Sequence, residues 1–429
     1  MNNSVIIRIY KGLLAGGYAQ AVSTGIQFLS VPLLISAWGS LGYGEWLAIS
    51  AIPIYMGLFD LGISNTTGNL MALESSIKQR VYIFNQGWKV CSVSYFSALL
   101  VFSFLALMVD WVSFFEFEYI SHDDVAFIIL GLAFHVFFVG QMQIVSSVYK
   151  AEKKFPEVMF FLNTVRLFEW AVALSLAYFG IGVKGFVLGL LITRILGFFL
   201  LVLASFCFGF KSYFLAILKS PRGEPISLIS SSSANFLSSI SVMLGVQGTI
   251  LVLSVAWSGA AVAAFNVMRV LSRVIVQAVT VISQASWAEF SYAAGEKNYD
   301  LVGKLLRKSR IFSFMAGLVI GLFLYLFAQD IVNFWLGDDA FEIDLDVFLL
   351  LILCAMVHAL WQIGWVCMMA LNRHANFSYV MSIIVLLGTV VLYLVSGQES
   401  SFYAALCLLG VEFFILFFER FFSRGYRSD

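Results

Sequence analysis

Long apolar runs separated by short polar ones set the pattern of this chain. A window of about 19–25 apolar residues finds twelve candidate helices. They lie near residues 12–37, 42–71, 85–109, 124–149, 157–180, 183–207, 226–255, 259–293, 309–334, 344–370, 376–396 and 400–422. Each is long enough to cross the hydrocarbon core of a bilayer. The second and eighth are longer than a bilayer needs and are expected to tilt or protrude. The pattern therefore predicts an all-α polytopic membrane protein with twelve transmembrane helices. It divides into an N-terminal six-helix lobe (1–210), a linker (211–225) and a C-terminal six-helix lobe (226–429).

Composition agrees. Of the 429 residues, 61% are hydrophobic and 12% charged, against about 45–50% and about 25% in soluble globular domains. Formal net charge is zero, which points away from nucleic acid as a partner. The five cysteines sit in apolar stretches without metal-ligand spacing, so they are expected to be small buried residues. The first apolar stretch is too long for a cleavable leader and is expected to remain as the first span.

The charges are sorted by position. Nineteen of the 25 Lys and Arg fall in one set of loops, at 8–11, 78–80, 150–154, 211–222, 297–310, 373 and 420–427. The other set holds only Lys184, together with the acidic stretches "FFEFEYISHDD" and "LGDDAFEIDLD". The positive-inside rule puts both termini in the cytoplasm.

The halves also echo each other at an offset of 219–223 residues. Trp38 aligns with Trp257, "YKAEKKFPEVM" with "LNRHANFSYVM", and His135 falls within one residue of His358. Six spans separate the halves, so the repeat is expected to be parallel, about an axis along the membrane normal. Substrate sites in such proteins lie between the halves, near the midplane.

Five basic residues lie inside spans. Arg269 and Arg273 of "AAFNVMRVLSRVIVQAVTVISQASW" are about 15 and 21 Å along their helix from its outer end, at about 1.5 Å per residue. An arginine at that depth costs about 2.5–3.5 kcal/mol on insertion scales. Their i, i+4 spacing shares one face, which continues through Gln277, Thr280, Gln284, Trp287 and Ser291. Such a stripe faces protein or water. It is read as a wet cavity that attracts an anion, against the plainer reading of an interhelical ion-pair network. Arg166 and Glu169, at i, i+3, either pair or act separately. Arg194 is a second candidate partner for Glu169. Lys89 is expected to snorkel and Glu45 to be interfacial. Asp60 shares a face with Pro53, Gly57, Ser64 and Thr67. It is either a counter-ion for an arginine or a proton or cation site. Glu412 is expected to be buried but shares no polar stripe, and its role stays open. His135 and His358 are expected to be satisfied packing residues.

No catalytic, metal or cofactor motif stands out. "VGKLL" lacks the rest of a phosphate-binding loop. The sequon at Asn65 lies inside a span, and no outer loop exceeds roughly 18 residues. The chain is not expected to be an enzyme.

The stretch "FLSVPLLISAWGSLGYGEWLAISAIPIYMGLFDLGISNTTGN" (28–69) resembles the first two helices of Wzx-type polysaccharide flippases, of the multidrug/oligosaccharidyl-lipid/polysaccharide exporter superfamily. The resemblance implies two six-helix lobes around a central cavity with alternating access. It implies an undecaprenyl-pyrophosphate-linked oligosaccharide as substrate, a bacterial inner membrane as location and a polysaccharide polymerase as a working partner. Helices that line the cavity in that superfamily carry Arg269, Arg273, Arg166 and Asp60 here; helix six, with Arg194, does not line it. Arginine's planar fork suits pyrophosphate and stays charged. Moving negative charge outward across an inside-negative membrane releases about 2.3 kcal/mol per charge per 100 mV. Asp60 is the candidate to carry a proton or sodium ion during reset. The alternative is a cation-coupled drug or metabolite antiporter of the same superfamily, expected to line its cavity with carboxylates instead.

Overall fold

The computed structural model describes residues 3–74, 76–219, 236, 240–295, 298–337, 341–371, 373–397 and 400–423. Its contacts divide the chain into two compact units, Met1–Phe236 and Leu237–Asp429. Arg222, Lys297, Arg424 and Arg427 of the basic loops lie outside the described residues, as does most of 226–239 at the start of the seventh expected span.

The described residues are all-helical, and among them ten helices are long and apolar enough to cross a membrane. One of these stretches, Leu14–Ala72, is 59 residues long and covers both of the first two expected spans. A shorter apolar helix, Ile240–Ala256, covers the described part of the seventh. Large apolar side chains such as Leu107, Phe312 and Leu394 stay exposed. A soluble protein would bury them or aggregate through them; a multi-pass membrane protein turns them to lipid.

In the first unit the elements are α1 (Asn3–Ile54), a tight turn of helix (Tyr55–Asp60), α2 (Ile63–Leu73), α3 (Ile77–Met108), α4 (Trp111–Phe115), α5 (His122–Ala151), α6 (Phe155–Tyr178), α7 (Gly182–Cys207) and α8 (Lys211–Lys219). The expected gap between the first two spans is a kink rather than a loop. Gly39 has φ 71°, a left-handed value that glycine adopts without steric cost.

The second expected span is not one helix. After Pro53 the chain tightens into Tyr55–Asp60, passes through Leu61 (φ 49°) and Gly62 (φ 72°), and restarts as α2. A hydropathy window sees only apolar character here and cannot see this break. Such breaks at membrane depth are tolerated where protein re-satisfies the backbone. Here Ser94 of α3 donates to the Phe59 carbonyl (2.6 Å), and Asp60 accepts from the Ser64 N–H (3.3 Å) and hydroxyl.

Glu45 is held by protein rather than by solvent. It is 3% exposed and its carboxylate accepts the backbone N–H groups of Glu118, Tyr119 and Ile120 at 2.7–3.1 Å. Three amides of the loop between α4 and α5 thus satisfy a buried charge, as a carboxylate needs. Trp38, Trp46 and Phe186 pack edge-to-face beside it. The "WGSLGYGEW" stretch is therefore a structural latch: a glycine kink, an aromatic cluster and a loop-holding carboxylate.

Other contacts keep loops of like sign together. Lys184 pairs with Asp124 among the acidic-set loops. Arg80 pairs with Glu152 (3.1 Å) and Lys11 with Glu157 (3.3 Å) among the basic-set loops.

In the second unit follow α9 (Ile240–Ala256), α10 (Gly259–Gly295), α11 (Tyr299–Leu326), α12 (Ala328–Leu336), α13 (Leu345–Ala370), α14 (Ala375–Ser396) and α15 (Ser401–Ser423). Within α9, Leu244–Gly248 is a widened π-type turn. Arg310, counted from sequence with the basic loop, is instead a buried residue of α11 paired with Glu419 of α15. Gly364 of α13 makes room for that pair: a Cβ there would strike the Glu419 carboxylate and the Arg310 guanidinium. Buried ion pairs of this kind need both partners in place.

Candidate functional site

Helix α10 carries the two arginines, and its geometry gives them different work. Both line a cavity of about 360 Å³ inside the second unit. Arg269 reaches across to α9, where its guanidinium donates to the carbonyls of Gly245 (2.7 Å) and Val246 (3.1 Å). Those carbonyls belong to the widened turn. A π-type turn displaces the regular ladder, and a planar guanidinium is suited to collecting the oxygens it turns out. Arg269 is thus held mainly by backbone dipoles.

Arg273, one turn further on, makes no hydrogen bond among the described residues. Its charge is attracted by Glu412 of α15, which also attracts Arg269. Glu412 is itself fixed from α13. Its Oε1 lies 3.1 Å from Nδ1 of His358, and its Oε2 accepts from the Trp361 indole N–H (2.6 Å). The His358 and Trp361 rings meet at 4.4 Å. The next residue, Gln362, donates to the Thr280 hydroxyl of α10 (3.1 Å). The Gln362 carbonyl oxygen and the Trp365 indole nitrogen are buried and have no hydrogen-bond partner among the described residues. Unpaired buried polar groups are uncommon and call for an explanation. The indole N–H is a donor that suits an anionic group beside a guanidinium with open donors, while the side-chain amide oxygen is an acceptor that suits a hydroxyl.

Charge counting sharpens this. Among the described residues lining the cavity, Arg269 and Arg273 are positive and Glu412 is negative. With His358 neutral, the wall carries one net positive charge.

The residues expected from sequence are thus placed unequally. Arg269, Arg273 and Thr280 share the cavity. Gln277 is half-buried on α10 and does not line it. The Gln284 side chain, with those of Trp287 and Ser291, lies outside the described residues. Sequence reasoning missed Glu412, His358, Trp361, Gln362 and Trp365. The last four do carry a signal: 358, 361, 362 and 365 repeat at i, i+3, i+4, i+7, one face of a helix. Glu412 carried none, because its partners come from other helices.

Asp60 and Arg166 belong to the first unit. Arg166 of α6 donates to the Ser23 hydroxyl of α1 (2.9 Å). It does not form an ion pair with Glu169. That carboxylate is taken by Arg194 of α7 at 2.5 Å and by His135 of α5 at 3.0 Å, so Arg194 and His135 are packing residues of a buried triad. Asp60 sits at the helix break. It accepts from Ser64 and lies near the Cys91 thiol (3.9 Å), and no basic side chain pairs with it among the described residues.

A scan against family models gave no match to the sequence, and a search of curated proteins gave none. The fold does have relatives. A multidrug resistance MATE family transporter of the MOP superfamily, in an inward-facing conformation, superposes with TM-score 0.71 over 96% of both chains at 12% identity. The lipid II flippase MurJ, in an inward closed conformation, gives TM-score 0.71 over 95% of this chain and 86% of that one at 13% identity. A mutant of the Vibrio cholerae MATE transporter VcmN gives 0.62 over 99% and 98% at 13% identity. The chain thus has the two-lobed, all-helical membrane fold that MATE transporters and the lipid II flippase share.

Proposed function

We propose that this protein is a flippase. It moves an undecaprenyl-pyrophosphate-linked oligosaccharide from the cytoplasmic to the periplasmic leaflet of a bacterial inner membrane by alternating access. Both termini face the cytoplasm and a polysaccharide polymerase uses the product. The observation that carries this reading is Arg273: a deep guanidinium with no hydrogen bond among the described residues, in a cavity walled by Trp361, Gln362 and Trp365. Arginine donors suit the pyrophosphate, and indole faces and amides suit sugar rings. The fold of the lipid II flippase supports a lipid-linked substrate. Arg269 contributes charge to the same anion while its donors hold α9.

The experiment is export of lipid-linked oligosaccharide by Arg273 variants at matched membrane abundance. Arg273→Ala removes charge-assisted contacts worth roughly 1.5–3 kcal/mol, or about a 10–150-fold loss in binding. Arg273→Lys keeps the charge without the fork and retains part of the activity. Unchanged export by Arg273→Ala overturns the reading.

One observation favours the second reading, a cation-coupled antiporter: Asp60 sits in the membrane without a basic partner among the described residues, and MATE transporters share the fold. In the flippase reading the same carboxylate takes up a proton or sodium ion during reset. Vesicle uptake assays with lipid-linked sugars and with organic cations separate the two.

A further inference from the structure

The cavity of the second unit has a charge problem that its own walls are equipped to solve. Its lining carries one net positive charge, from Arg269, Arg273 and Glu412. A pyrophosphate diester carries two negative charges. Occupied, the cavity would hold one net negative charge in a low-dielectric surround, where an uncompensated charge is costly. Glu412 and the entering anion, both negative, would also repel each other while competing for the Arg273 guanidinium.

We propose that the His358–Glu412 pair takes up one proton when the anion binds, so that occupancy of the cavity is linked to proton binding. This rests on the reading of the cavity as an anion site and adds the residues that balance its charge. The geometry suits it. Glu412 Oε1 faces His358 Nδ1 at 3.1 Å and Oε2 is held by the Trp361 indole, so the carboxylate stays in place whichever protonation state it adopts. In this proposal the two facing groups share the proton: it sits on the second imidazole nitrogen or on the carboxyl group. Either way the empty cavity keeps its net charge of plus one, and the loaded, protonated cavity is neutral.

The other groups facing Glu412 do not compete for that proton. Arg269 and Arg273 on α10 are cationic throughout. Cys354 on α13 points its thiol at the Ala405 carbonyl (3.8 Å), and Cys407 on α15 points its own at the Gly388 carbonyl (3.6 Å); thiols in apolar surroundings stay neutral. Among the described residues lining the cavity from α9 and α14, none is titratable. Histidine is the side chain whose ordinary titration falls near neutral pH.

The test uses the full chain in lipid nanodiscs. The probe is a short-chain polyprenyl-pyrophosphoryl monosaccharide, a diester of constant charge across the range. Its Kd is measured from about pH 5.5 to about pH 8.5, the range in which histidine titrates. Protonation favours binding, so Kd rises with pH, by ~tenfold per pH unit where the free pair is deprotonated. Calorimetry in buffers of different ionisation heat reads uptake of about one proton per probe bound there. Glu412→Gln keeps an acceptor for Trp361 but has no charge to cancel; its binding is tight and flat with pH. His358→Gln, which leaves the carboxylate, shifts the rise to lower pH. Saturable binding that depends on Arg273 but has a flat Kd in the native protein, or an undiminished slope in Glu412→Gln, overturns the linkage and leaves the anion site standing. No saturable binding at any pH, or binding that Arg273→Ala leaves unchanged, defeats the anion site itself and the linkage with it.

Discussion

The two units place a histidine at matching positions and use it in opposite ways. In the first, His135 and Arg194 both close on Glu169. One carboxylate meets one guanidinium and one imidazole, and the ion pair at its centre is buried. In the second, His358 meets Glu412, but the guanidiniums that answer that carboxylate stand across a cavity, and one of them is spent on backbone carbonyls. The first arrangement is closed and balanced. The second keeps a charge surplus and a guanidinium with open donors. Each unit thus carries a histidine beside a carboxylate, and the placement of the arginine decides whether that carboxylate is closed into an ion pair or faces a cavity.

The largest expected effect breaks the closed ion pair. Glu169→Ala leaves Arg194 buried without its counter-charge and costs about 3–5 kcal/mol; folded protein recovered in detergent falls sharply. The double change Glu169→Gln with Arg194→Met restores most of it, because no lone charge remains. If Glu169→Ala folds normally, the triad is not what holds α5, α6 and α7 together.

Glu45→Ala comes next. It strands three loop amides, at about 1–3 kcal/mol for an unsatisfied buried group, and lowers the thermal midpoint of the solubilised protein. Glu45→Gln keeps one acceptor oxygen and falls in between. Equal midpoints for the two variants contradict the latch.

The arginines of α10 divide in the same terms. Arg269→Ala removes the groups that hold the Gly245 and Val246 carbonyls, so abundance and export fall together. Arg273→Ala lowers export at normal abundance. Identical behaviour of the two, read by immunoblot and export assay, would erase the distinction drawn from their hydrogen bonds.

The smallest effect on stability is expected at Asp60. Asp60→Asn retains an oxygen acceptor for Ser64, so the helix break survives and the midpoint shifts little. Export loses its dependence on the coupling ion gradient. A variant with native gradient dependence would return Asp60 to a purely local role at the break.

How far the sequence carried follows from which properties are local. Apolar runs long enough to cross a bilayer are a one-dimensional signal, so α5, α6, α7, α10, α13, α14 and α15 were legible nearly end to end. The break at Tyr55–Gly62 was not, because tight turns and left-handed residues leave hydropathy unchanged. Arg310 looked like one of a basic cluster at a helix end; its partner Glu419 lies 109 residues on, and only packing shows the pair. Arg269 and Arg273 were legible as a pair on one face, since that is spacing alone. Their different duties were not, because these depend on a widened turn in α9 and on Glu412 in α15. Glu45 likewise needed the 118–120 loop to be folded over it before its role was visible.

The central claim is that Arg273 is held open for an anion rather than used to hold the fold. The most direct test measures membrane abundance and export of lipid-linked oligosaccharide side by side for Arg273→Ala and Arg273→Lys. Normal abundance in both, with export nearly abolished in the first and partly kept in the second, is the predicted result. Low abundance of Arg273→Ala, restored by a second change of Glu412 to Gln, would show that Arg273 is only the counter-ion of Glu412 and would contradict the account.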